Sequence, residues 1–87
     1  MIKENCIVVS TKGRDIGKFY IVVKVDAGYV YLTDGKSKNL NNLKKKNVKH
    51  IKFMENCEDL GFKSMQNCDI IHKLKNFKLK NQTGGIQ

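Results

Sequence analysis

Between Phe19 and Asp34 two short runs of apolar and aromatic residues are separated only by Asp26-Ala27-Gly28, which leaves the chain little choice but an antiparallel hairpin. Phe19, Ile21, Val23 and Val25 form one face of the first run, expected to be the buried one, while Tyr20, Val22 and Lys24 face away. In the returning run, Val30 and Leu32 lie opposite Tyr29 and Tyr31. The turn between them has the right chemistry, because Gly tolerates positive φ and Asp bonds local backbone.

Similar short runs flank this hairpin. Residues 5–10 (NCIVVS) precede it, and Asn47 to Phe53 alternates again, with Ile51 and Phe53 expected inside and Lys49, His50 and Lys52 at least partly solvated. Lys36 to Lys46 is too polar for a core strand, although Leu40 and Leu43 can tuck inward. Four to five short strands separated by Gly-bearing turns predict a mainly β domain, a small barrel over residues 1–54 rather than an open sheet. Closure would also remove the exposed edges that invite aggregation. Residues 55–80 are expected to hold an irregular connection, Glu55 to Asn67, and then a short C-terminal α-helix packed on the barrel. From Cys68 to Leu79 the residues Ile70, Ile71, Leu74 and Phe77 share one side, with Asn67 as N-cap and Asp69 in the first turn. Residues 81–87, with Gly84-Gly85, read as a flexible tail.

At 87 residues the chain has room for one domain and none for a cleft between two lobes, so it is not expected to be an enzyme. Its charge points elsewhere. Seventeen Lys and Arg against eight Asp and Glu give a net +9, and every cation except Arg14 is Lys. Lysine makes strong but geometrically undemanding phosphate contacts, which suits grip on a nucleic-acid backbone more than reading of sequence. Residues 1–54 carry twelve basic and four acidic groups, and between Gly35 and Met54 there are seven Lys and no acid. Solvated surfaces ordinarily mix signs. Nothing resembles a signal peptide or a membrane span, and the three cysteines contain no C-x-x-C pair, so a cytoplasmic protein with reduced thiols is expected.

The segments Ile7-Val8-Val9-Ser10, Gly13-Arg14-Asp15-Ile16-Gly17-Lys18 and Ile21-Val22-Val23-Lys24-Val25 together resemble the KOW motif, a strand, a basic glycine-containing loop and a second strand. Gly17 falls where the motif's glycine lies. With Tyr31-Leu32-Thr33-Asp34-Gly35-Lys36 and the later Lys44-Lys45-Lys46-Asn47-Val48-Lys49-His50-Ile51, residues 5–53 are similar to the KOW-containing large-subunit ribosomal proteins of archaea and eukaryotes and their small bacterial relatives. The resemblance implies an SH3-like barrel, RNA binding and ribosome association in translation. Lys18-Phe19-Tyr20 stands where many KOW motifs have a second Gly, and Lys44-Lys45-Lys46 where the ribosomal relatives often have Pro and Arg.

Two candidate RNA-binding patches follow. The first is the loop carrying Lys12, Arg14 and Lys18, in which Asp15 is expected to bond loop backbone; the alternative is a plain hairpin turn. The second is Lys44, Lys45, Lys46, Lys49, His50 and Lys52, against the alternative of a solvated face. Tyr20, Tyr29 and Tyr31 could stack on unpaired bases or lie under the C-terminal helix. Cys57, Cys68 and His72 give the spacing C-x10-C-x3-H with Cys6 as a fourth donor, but zinc sites ordinarily show two tight ligand pairs, so idle thiols are the reading and no metal or cofactor is expected. No residue set suggests catalysis. The expected partner is RNA, ribosomal RNA above all, with ribosomal proteins as neighbours, and neither a membrane nor a small-molecule substrate. The rival reading is a protein-interaction module of the transcription or translation machinery.

Overall fold

The computed structural model describes residues 2–57 and 66–86. Five antiparallel strands, β1 (Cys6–Ser10), β2 (Phe19–Asp26), β3 (Tyr29–Thr33), β4 (Lys44–Asn47) and β5 (Ile51–Asn56), form one sheet in the order β4-β3-β2-β1-β5, followed by the helix α1 (Asn67–Ile86). A single 3₁₀ turn, Val48–His50, connects β4 to β5, the two strands at opposite edges of the sheet. Ala27 and Gly28, at φ 49° and 86°, close the β2–β3 hairpin, as two-residue turns that match the strand twist require. No helix among the described residues is long and apolar enough to cross a membrane.

Around the first half of β2 both faces of the sheet are buried, so Tyr20, Ile21 and Val22 have no wet side, while Lys24 to Asp26 are exposed. Cys6, Val8, Tyr20, Val22, Val30, Leu32 and Ile51 pack on the inner face, with Ile2 and Val48 against them. Ile7, Ile21, Cys57, Ile70, Leu74 and Phe77 pack on the outer face beneath α1, with Phe19 alongside. The expected inside and outside of β2 are therefore corrected: Tyr20 and Val22 fill the inner core, while Phe19 and Ile21 meet the helix. A register shift between Val22 and Lys24 follows, and beyond it Val23 is half-buried and Val25 exposed. Phe53, expected inside, is 40% exposed: it pairs with Val8 but stands on β5, at the edge of the sheet. The polar stretch before Asn47 does form a strand at its end, the edge strand β4, and residues 48–50 form the 3₁₀ turn rather than extended chain.

The helix begins one residue earlier than expected. The Gln66 carbonyl accepts from Asp69 N at 3.0 Å, and the Gln66 N–H donates to the Asp69 carboxylate at 2.9 Å, a reciprocal arrangement that closes the first turn. Asn67 instead accepts from Leu40 N through its side chain, at 2.8 Å, tying the helix start to the loop after β3. Ile70, Leu74 and Phe77 recur at helical spacing along the buried stripe, and the rings of Phe77 and Phe19 meet edge to face with centroids 5.3 Å apart. The helix runs on to Ile86, through most of the segment read as a tail. Residues 58–65 of the expected irregular connection lie outside the described residues.

Candidate nucleic-acid interface

Asp15 organises the basic end of the molecule. It is only 7% exposed and sits in the loop between β1 and β2. The Ser10 hydroxyl donates to it at 2.8 Å, the Tyr20 hydroxyl at 3.0 Å and the Lys46 ammonium at 2.9 Å, while Lys44 Nζ lies 3.7 Å away. Lys46 also donates to the Lys12 carbonyl at 2.7 Å. Burial works to raise the Asp15 pKa, but the hydrogen bonds from Lys46, Ser10 and Tyr20 outweigh it and hold the carboxyl well below the usual carboxylate range. Tyr20 shifts the other way: burial, then its bond to the Asp15 carboxylate, push the phenol above its ordinary value. Asp15 was expected to bond loop backbone; its carboxylate instead ties the loop to β1, β2 and β4 through side chains.

The period of β4 explains which lysines Asp15 takes. Lys44 and Lys46 pair with Leu32 and Val30, whose side chains point into the inner core, so their stems run inward and their ammoniums reach Asp15. Lys45 pairs with Tyr31 on the outer face, and its ammonium stands 4.5 Å from the centre of the Tyr29 ring. Lys24, the partner of Tyr31 on the other side, places its ammonium 5.7 Å from that ring. Lys45 and Lys24 thus border two accessible tyrosines, and the apolar cluster under α1 contains neither ring. Tyr20 belongs to neither expected role, since it lies in the inner core.

The two basic segments, far apart in sequence, meet here. Lys46 joins β4 to the loop at Lys12 and Asp15, and Thr11 N donates to the His50 carbonyl at 2.8 Å, joining the loop to the 3₁₀ turn. Lys12, Arg14, Lys18, Lys45, Lys49 and Lys52 are exposed, His50 and Lys44 are half-buried, and the Lys46 side chain is only 10% exposed. Across residues 5–25 and 36–54 the only acid is Asp15, and it is already satisfied. Among the described residues, therefore, nothing acidic on these segments offsets the exposed cations. The inward turn of Lys44 and Lys46 escaped the sequence reading; the signal available was strand alternation in the run Lys44-Lys45-Lys46 and one acid in the facing loop.

The cysteines do not converge. Cys6 lies in the inner core, Cys57 in the cluster beneath the helix, and Cys68 is exposed. Burial raises the Cys6 thiol pKa. Neither a protein-family model nor a curated protein matches the sequence.

Proposed function

We propose that this chain is a KOW-type RNA-binding module with an SH3-like barrel, docking on structured RNA, ribosomal RNA foremost, as a ribosome-associated protein of the cytoplasm. The observation that carries this reading is the joining of the loop at Lys12 and Asp15 to β4 through Lys46 and to the 3₁₀ turn through Thr11, which ties together two basic segments on which Lys12, Arg14, Lys18, Lys45, Lys49 and Lys52 stay exposed while Asp15 is internally neutralised. Phosphates meeting such a surface would find cations held on a rigid frame, and the scarcity of Arg favours grip on the backbone over base readout. Barrel closure is supported by the connection between the edge strands. Edges of a flat five-stranded sheet would lie about 19 Å apart, whereas the four steps from Asn47 to Ile51 reach at most about 14 Å. The sheet must curl to be connected in this way.

The test reverses charges that lie outside the Asp15 network. A variant carrying Lys12→Glu, Arg14→Glu and Lys45→Glu should keep the circular dichroism of the parent and bind a ribosomal RNA hairpin at least about tenfold more weakly by fluorescence anisotropy. Unchanged affinity in a folded variant would remove this surface from any RNA site. Lys46 is left alone because a Glu there would face Asp15.

A further inference from the structure

A second concave feature lies away from the Asp15 network, between α1, the start of β2 and the turn that follows β3. It is a groove of about 480 Å³ whose floor includes Phe19, Leu74 and Leu79. Leu79 is half-exposed there. Cations rise on both walls: Lys18 and Lys36 from the strand side, Lys75 and Lys78 from the helix. None of these four is ion-paired among the described residues. The acid in the lining, Asp34, is engaged in its own turn, where one carboxylate oxygen accepts from Lys36 N and Lys38 N at 2.9 and 3.0 Å. Lys78 already holds its ammonium 6.0 Å from the centre of the Phe19 ring.

An apolar floor between two cationic walls fits a flat, apolar-faced group flanked by an anion on each side. A nucleotide within a strand has that form: the base has two π-faces and the backbone supplies a phosphate before and after it. Lys18 belongs both to this groove and to the β1–β2 loop, so one strand can run from the loop into the groove. We propose that the groove receives a single unpaired nucleotide, its base against Phe19, Leu74 and Leu79 and its flanking phosphates on the lysines of opposite walls. This rests on the RNA reading above and assigns a preference for a bulged or unpaired residue beside a helical stem.

Three RNA hairpins test it by fluorescence anisotropy: a continuous stem, the same stem with one bulged nucleotide, and that bulge made abasic. The wild-type chain should bind the bulged hairpin about tenfold more tightly than the other two. A variant with Lys36→Glu and Lys75→Glu, both on exposed positions, should lose that preference while retaining most of its affinity for the continuous stem. Equal binding of all three hairpins by the wild type would overturn the groove and leave the RNA reading standing, as would a preference that survives in the double variant. Failure to bind any hairpin would overturn both. In that event, shifts of the Lys36 and Lys75 amide resonances on adding a Glu-rich peptide with a leucine anchor would reassign the groove to protein docking.

Discussion

Asp15 shows how much one side chain can determine in a molecule this basic. Its carboxylate gathers hydroxyls from β1 and β2 and two ammoniums from β4, Lys46 and Lys44, that would otherwise repel each other. Asp15→Asn should destabilise the fold by about 3–5 kcal/mol, since it leaves the Lys46 charge enclosed without its counterion. Urea titrations at several pH values would measure this, and the pH dependence has a definite sign. Because the folded-state pKa is held below the ordinary value of about 4, the stabilisation is fully present above pH 4 and is lost as the pH falls below it. The parent should therefore weaken steeply in acid, and the Asn variant should lose that component of the slope. At this scale the sequence is only partly readable. Six of the nine residues expected to bind RNA are exposed where expected, but Lys46 is not distinguishable from Lys45 until the facing loop is known to carry its partner across the fold.

The helix is seated on the sheet by a residue without a side chain. Gly35, at φ 76°, follows β3 and is buried against the start of α1; a Cβ there would lie 2.6 Å from the Asn67 carbonyl oxygen and 2.8 Å from Ile71 Cγ1. Gly35→Ala has to move the helix or strain the turn. Overpacking of this kind costs about 1–3 kcal/mol, and the positive φ adds to it. The expected outcome is a melting temperature lower by about 5–15 °C, with hydrogen-exchange protection lost first at Ile70 and Leu74. Intact protection at those amides would mean that α1 does not depend on this close approach. The helix itself is legible from the spacing of Ile70, Leu74 and Phe77, and so is the need for a surface to receive it. Which surface is not, because Phe19 and Ile21 look like core residues whichever face they occupy, and β2 is apolar on both sides.

For the whole molecule, charge is the property that association with RNA would report. Lys12, Arg14, Lys18, Lys45, Lys49 and Lys52 remain open to solvent while Lys46 is neutralised internally. If about five of these cations meet phosphates, log K against log salt should fall with a slope of roughly −4 to −5. A slope shallower than about −2, measured by titration between low and physiological salt, would make the surface a bystander. Four of the strands and the C-terminal helix follow from periodicity and turn residues, whereas the all-polar β4 and its break from β5 at Val48–His50, which carries no Gly, Asp or Asn, do not. Strand order does not, because nothing local in β1 or β5 announces that they pair. That order has a consequence in time. The β2–β3 hairpin joins neighbours across a two-residue turn, so it can form early and alone, whereas β1 at the interior of the sheet must wait for β5, the last of the described strands along the chain. Until residues 51–56 arrive, one edge of β1 has no neighbour and Val8 and Ile7 have only part of their surroundings. Completion of this small domain is thus governed by a late encounter between two neighbouring strands that lie far apart in the chain, and the hairpin that is easiest to recognise contributes least to how long it takes.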